Sequence, residues 1–424
     1  MWGSVETTAK LGLTGLAGFT LACVVIAAAA QEPHVPDPEV AKVVDAVAAQ
    51  FVAAGGRGFE GWEPKRLKEA ARAYHARVTP LAMPWRRGTD TAQNFVRPAA
   101  PPRVPNIAHW AWRDGDADWT LALSVAMAAV VQRPEALYMH TGPLVAGTTA
   151  YTEPQTPAGR AALRCLRAVG AQEVRHTSDP VPGRGPHPWA EILKKGRRIN
   201  SKQTFAHLSD VTRLKTILDM GGIYLDRDAF LHQRVDHYRW RHDAVLGLEP
   251  SNFERDRVAN FGCLMARPNA TFFRLFWDGG GRAEYANMSY LKTWGGWAHD
   301  SCRKSYALAL KRPDLVHLEA RLLQYPFPGH GVARGGVTPA LLDLTRRSEV
   351  CHMSGFKWNG GRTHQLRLTP SIFGEVLWPN MLQAAAAKPP LPPALLRCVR
   401  WLGDTLVNES YMPKAANAAA QGWR

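Results

Sequence analysis

Two carboxylates one residue apart, Asp226 and Asp228, close the stretch GGIYLDRDAF (residues 221–230) directly after a short apolar run. Along a strand, side chains at i and i+2 leave the same face, so both carboxylates can turn to one cation. A hard divalent ion such as Mg2+ or Mn2+ takes one or two carboxylates, and phosphate oxygens complete its shell. An Asp-x-Asp at a strand end is therefore a sensible holder for a metal–diphosphate. Alone, the triplet fits a solvated turn as well. Upstream, Asp210 and Arg213 stand sixteen and thirteen residues before Asp226. Their i, i+3 spacing puts both on one helix face, either as a surface ion pair or as a pair that hydrogen-bonds sugar hydroxyls beside the metal.

These residues need a frame. From Arg103 onward short apolar runs alternate with helical stretches. Strands are expected at 104–112, 135–140 and 173–177, with helices over 118–132 and 158–168. A long helix over 202–220 then stops at the pair Gly221–Gly222, and residues 223–226 form a short buried strand. Further strands are expected at 244–249, 261–266, 315–320 and 349–353. Such alternation predicts an α/β domain with a mostly parallel, Rossmann-like sheet flanked by helices. In open sheets of that kind ligands bind beyond the carboxyl ends of the strands, where Asp226 and Asp228 stand.

Around this domain, residues 11–30 are uncharged and just long enough to cross a bilayer as a helix. Their length favours a type II signal-anchor, while the small-residue end before Gln31 keeps a cleaved signal peptide open. Residues 31–102, rich in Ala and Pro, read as a stem with helices near 38–54 and 64–77. The domain proper spans 103–380, and 381–424 reads as a peripheral tail. Both N-terminal readings send the chain into the secretory lumen, with the Golgi as the expected address. Sequons at Asn269, Asn287 and Asn408 agree with it. Apart from Cys23, five cysteines without a CxxC spacing fit one or two disulfides plus a free thiol and give a zinc cluster no support. A net charge of +16 favours anionic partners. The basic residues are scattered without an aromatic-and-basic pattern, so nucleic acid is not expected.

The joint pattern Asp210, Arg213, Gly221, Gly222, Tyr224, Asp226, Asp228 resembles the DXD-containing sugar-binding region of glycosyltransferase family 32 and its relatives. These include the yeast initiating α-mannosyltransferases, the animal α1,4-galactosyl- and N-acetylglucosaminyltransferases and, more distantly, the clostridial glucosylating toxins. The resemblance implies a GT-A-like fold, with Asp210, Arg213, Gly222 and Tyr224 at the donor sugar and Asp226 and Asp228 as catalytic metal ligands. Three flanking stretches are similar to family elements. IAHWAW (107–112) resembles the first strand of the nucleotide pocket, which sets Trp112 as a platform for the base and His109 beside it in a structural part. VANFGCLMARPNATFF (258–273) brings Asn260, for the donor or for a turn. EVCHMSGFKW (349–358) resembles the closing His…Trp element, with His352 as third metal ligand and Trp358 over the diphosphate. Imidazole suits Mn2+ better than Mg2+. Where the family carries a Thr-Gly-Pro-like turn, this chain has TWGGWAHDS (293–301), so its acceptor is not read from relatives.

What the resemblance implies is a metal-dependent, retaining transfer of sugar from a UDP- or GDP-sugar to a glycan, glycolipid or glycoprotein acceptor. No carboxylate stands out as a nucleophile, so same-face substitution with the leaving phosphate deprotonating the acceptor is expected. Two other classes compete. A phosphatase with Asp-x-Asp after an apolar strand would need a hydroxyl or β-branched residue where Ala229 and Phe230 stand. A non-catalytic lumenal carbohydrate-binding protein would have less reason to keep both aspartates.

Overall fold

The computed structural model describes residues 95–112, 119–141, 156–175, 201–250, 257–277, 302, 304–319, 322–324, 339–353, 372–387 and 389–408. The apolar segment 11–30 and the stem helices lie outside them; among the described residues no helix is long and apolar enough to cross a membrane.

Seven strands form one mixed sheet. They are β1 (Ile107–Trp112), β2 (Ala136–Thr141), β3 (Ala171–Arg175), β4 (Gly222–Leu225), β6 (Ala244–Pro250), β7 (Arg257–Ala266) and β8 (His317–Glu319). Their order is β3-β2-β1-β4-β7-β6-β8. All pairings are parallel except those of β7, which runs against β4 on one side and β6 on the other. The expected mostly parallel sheet with flanking helices is thus observed. The chain lays β2 and β3 to one side of β1 and β4 to the other, so the sheet reverses its winding between β1 and β4. That is the place where open α/β sheets leave a crevice.

A second sheet was not legible in the sequence. It consists of β5 (Ala229–Leu231), β10 (Val350–His352) and β9 (Leu323–Gln324), with β10 in the middle. The expected strand at 349–353 therefore exists but pairs with β5, not with the main sheet.

Each face of the main sheet carries its own core. Helix α1 (Trp119–Val131) is buried all round and packs with Trp110, Trp112, Ile223, Leu225 and Met265. An all-apolar helix of this kind belongs inside a protein. The opposite face holds Ala111, Tyr224, Leu264 and Phe261 against helices α3 (Ser201–Met220), α5 (Thr271–Phe276) and α6 (Lys304–Lys311). Between β1 and α1, the Trp110 indole donates to Ser124 Oγ at 2.9 Å, and that hydroxyl donates to the Ala229 carbonyl at 2.6 Å. The hydroxyl so ties the first residue after the Asp-x-Asp to the buried helix.

Two short helices complete the frame used below, α2 (Pro157–Ala168) and α4 (Asp236–Arg241), with α7 (Pro339–Arg347) preceding β10. The segment after residue 380, read from its composition as peripheral, instead joins the core. Helices α8 (Trp378–Ala386) and α9 (Pro393–Asn408) bury Trp378, Met381, Leu395, Val399, Leu402 and Leu406 in the main cluster. Its apolar residues recur at i, i+3, i+4 and i+7, which the Ala- and Pro-rich flank obscures. Cys398 of α9 forms a disulfide with Cys165 of α2, closing a loop of 233 residues. Cys263, Cys302 and Cys351 are buried and form no disulfide, so one disulfide is present among the described residues. Of the three sequons, Asn269 and Asn408 are exposed, and Asn287 lies outside the described residues.

Candidate metal and donor site

The site begins with the way α3 ends. Gly221 takes φ +67° and its N–H returns to the Ile217 carbonyl at 3.0 Å, a left-handed helix stop that favours glycine. Gly222 continues at φ +99°, and a Cβ there would lie 2.7 Å from the Ile107 carbonyl oxygen. Only glycine lets β4 enter the sheet this close to β1.

His109 locks the same turn. Its Nε2–H donates to the Gly221 carbonyl at 2.9 Å, which makes Nδ1 an acceptor for the His140 Nε2–H at 3.0 Å. His109 is fully buried, and burial pushes its pKa down to about 4, the hydrogen bond to Gly221 opposing this only in part. Both ring nitrogens are engaged within the protein, so His109 supports the glycine turn rather than presenting a nitrogen to a nucleotide. A consequence follows for stability. The unfolded chain protonates this histidine below about pH 6.5 while the folded one resists until about pH 4, so the folded state loses ground on acidification through that window. Between pH 7 and 5 His109→Gln should remove about 2 kcal/mol of acid sensitivity. Thermal unfolding midpoints of the two proteins across that range check it, and parallel pH profiles would contradict it.

Beyond β4 the chain delivers Asp226. Its N–H donates to the Gly262 carbonyl at 2.8 Å, and its carbonyl accepts from the Ala229 N–H at 2.9 Å, making the tight turn that carries Arg227 and Asp228. Three groups surround the Asp226 carboxylate. The Tyr224 hydroxyl donates to Oδ1 at 3.0 Å, the Arg213 guanidinium stands 3.1 Å from the same oxygen, and His352 Nε2 lies 3.8 Å from Oδ2. Burial raises the Tyr224 phenol well above its usual value, with Arg213 pulling the other way, so Tyr224 remains a neutral donor.

Arg213 joins the two halves of the sequence pattern. Its Nη2 is 3.3 Å from Asp210 Oδ1 and 2.8 Å from Ser209 Oγ, and its guanidinium lies over the Tyr224 ring at 4.8 Å. Asp210 and Arg213 are 2% and 7% exposed, which removes the surface ion pair as a reading. A planar fork spanning two carboxylates while stacked on a ring is work for arginine, not lysine. Arg213→Lys should keep the charge yet lower stability by about 1–2 kcal/mol. Denaturant unfolding measures it, and an unchanged midpoint would show that the fork is not needed.

Asp228 faces the second sheet. Because β5 follows it directly and pairs antiparallel with β10, His352 arrives opposite Ala229, and the Met353 N–H donates to the Asp228 carbonyl at 2.9 Å. His352 Nε2 lies 3.3 Å from Asp228 Oδ1. Burial alone would raise the Asp228 pKa, but the hydrogen bond and charge of His352 and the charge of Arg227 outweigh it and hold the carboxyl below the usual range. One ligand atom each from Asp226, Asp228 and His352 lie within 4.8 Å of one another. Two carboxylate oxygens and an imidazole nitrogen are a donor set that suits a divalent first-row cation such as Mn2+.

Of the other candidates, Trp112 is buried at the carboxyl end of β1, the strand next to β4 at the switch point. Asn260 is buried on β7, where its Oδ1 accepts from the Gly262 N–H. Trp358 lies outside the described residues. Sequence reasoning missed Gly262: β7 carries three residues beyond the register of β6 between Gly247↔Asn260 and Leu246↔Leu264, and Gly262 is the middle one.

Residues 177–245 match the family model described as the glycosyltransferase sugar-binding region containing the DXD motif. Over those residues the chain is similar to family 32-like glycosyltransferases. Its enzyme class is accordingly that of the glycosyltransferases, and the matched region contains Asp210, Arg213, Tyr224, Asp226 and Asp228. No curated protein matches it. Among solved structures, the chain is similar to the PaToxG glycosyltransferase at 12% identity, covering 59% of this chain and 81% of that one, with a TM-score of 0.34. It is similar to the galactosyltransferase LgtC in complex with donor and acceptor sugar analogs at 15% identity, over 69% and 99% of the two chains, with a TM-score of 0.30. For the glycosyltransferase GlyE of Streptococcus pneumoniae TIGR4 the identity is 9%, the coverage 73% and 64%, and the TM-score 0.35.

Proposed function

We propose that this glycosyltransferase region works as a metal-dependent, retaining transferase that moves a sugar from a UDP- or GDP-sugar to a glycan, glycolipid or glycoprotein acceptor. The observation that carries the reading is the meeting of Asp226, Asp228 and His352 within 4.8 Å at the strand end that follows the Gly-Gly turn. A divalent cation held there, Mn2+ or Mg2+, would supply electrostatic assistance to the departing diphosphate. The chain's own residues prepare the place. Asp228 stays ionised under His352 and Arg227, so it offers a full negative charge to a cation. Tyr224 and Arg213 Nη2 hold Oδ1 of Asp226, while Oδ2, which Arg213 Nη1 approaches only at 3.5 Å, is the oxygen nearer His352. In this reading Asp210 and Arg213 also meet the sugar hydroxyls, Trp112 the base, and Asn260 and Trp358 line the diphosphate side.

The proposal extends to the address of the chain: residues 1–30 as a type II signal-anchor or a cleaved signal peptide, 31–102 as a stem, and the catalytic domain in the lumen of the Golgi or secretory pathway. Support comes from the uncharged segment 11–30, the exposed sequons Asn269 and Asn408, and the Cys165–Cys398 disulfide, which fits an oxidising compartment. The test is nucleotide release from a panel of UDP- and GDP-sugars, with acceptor mixtures and with Mn2+ or EDTA. Release from one donor that stops in EDTA would support the transferase and identify its sugar. No release from any donor would move the reading to a lumenal carbohydrate-binding protein.

A further inference from the structure

Gly262 touches the metal site from two sides. Its carbonyl accepts the Asp226 N–H at 2.8 Å, and its α-carbon faces the His352 ring so closely that a Cβ would lie 2.7 Å from Cε1 and 2.8 Å from Nδ1. The same Cβ would come within 2.8 Å of Asn260 Oδ1, which accepts the Gly262 N–H. The neighbours cannot easily give way. His352 is 6% exposed on a strand hydrogen-bonded to β5 and β9, and Asn260 is likewise 6% exposed. The irregularity in β7 at residues 261–263 is what presents this residue, since a regular ladder would pair it with β6. Bulges commonly re-aim groups beside functional sites.

From this we infer that Gly262 is a positioning residue for the metal ligands: its carbonyl fixes the Asp226 backbone, and its lack of a side chain forms the seat of the His352 imidazole. The two ligands come from different sheets, and Gly262 of the main sheet is where they are brought to a common distance. The inference rests on the reading of Asp226, Asp228 and His352 as a cation site, but the seat itself is a packing relation that exists without a cation.

The test is a double-mutant cycle of Gly262→Ala and His352→Ala in the full-length chain, with two readouts. Mn2+ affinity is measured by titration, and thermal unfolding is followed in EDTA. Groups that orient ligands typically change metal affinity 10–100-fold, so Gly262→Ala should weaken Mn2+ by about tenfold or more. In the His352→Ala background the same change should alter Mn2+ affinity by less than about twofold, because no ring remains to be displaced. In EDTA, Gly262→Ala should lower the unfolding midpoint by about 4 °C, and His352→Ala should relieve most of that loss. Should Gly262→Ala fail to fold, recovery of folding in the double variant supports the seat, and failure of both overturns it. The inference is also overturned if Gly262→Ala binds Mn2+ like the parent, or if its loss is the same size with and without His352. A parent chain that binds no Mn2+ would instead remove the cation reading, and the EDTA cycle would still decide whether Gly262 seats the ring.

Discussion

Asp228→Asn should reduce metal-dependent nucleotide release by about a hundredfold or more while leaving the fold intact. The substitution is nearly isosteric and keeps an acceptor toward His352 Nε2, which stands 3.3 Å from Oδ1. What it removes is a charge that the surroundings work to preserve, since His352 and Arg227 overcome the burial of this carboxyl and keep it ionised. Orienting groups around a metal already change affinity 10–100-fold, and a ligand should exceed them. Stability in EDTA should fall modestly, because the lowered pKa means that the folded state favours the ionised carboxyl beside His352 and Arg227. Initial rates with Mn2+ and a thermal melt check both halves. Release within about tenfold of the parent would place the essential charge elsewhere.

The largest effect on folding is expected at Gly222→Ala. At φ +99° an L-residue is strained, and here the added Cβ meets main chain and not a movable tip: Ile107 O at 2.7 Å, with Ile107 Cγ1 at 2.6 Å and His109 Nε2 at 2.9 Å. Strain of this backbone class contributes about 1–3 kcal/mol and overpacking about 1–3 kcal/mol more. A loss of about 3 kcal/mol or more is therefore expected from denaturant unfolding. Because β4 carries Asp226 at its end, surviving protein should also bind metal poorly. A loss under about 1 kcal/mol would mean that β1 and β4 can separate there at little penalty.

The part of this site that lies on one continuous segment was legible in the sequence. Asp210, Arg213, the glycine pair, Tyr224 and Asp226 follow one another along a helix, a turn and a strand, whose periods fix their relative directions, whereas Asp228 takes its direction from the tight turn after β4 and not from a strand period. The gathering of His352 was legible only through resemblance, because it depends on β10 pairing with β5 in a separate sheet. Nothing in a three-residue apolar run says which sheet it will join. Gly262 was silent for a related reason: NFGCLM reads as an ordinary strand, and the three extra residues show only once β6 and β4 fix the register on either side. The helix over Pro393–Asn408 was hidden by its flank, although its own apolar spacing is helical. His109 was placed in a structural part, and the structure supplies the partners, Gly221 and His140, that give it one.

In the proposed function Asp226, Asp228 and His352 hold a cation that in turn holds a nucleoside diphosphate. Equilibrium binding of UDP and GDP to the full-length chain, with Mn2+ and with EDTA, tests it most directly. One of the two should bind with Mn2+, and this binding should disappear in EDTA and in Asp228→Asn. Binding of equal strength in EDTA, or no binding of either nucleotide with Mn2+, would contradict it.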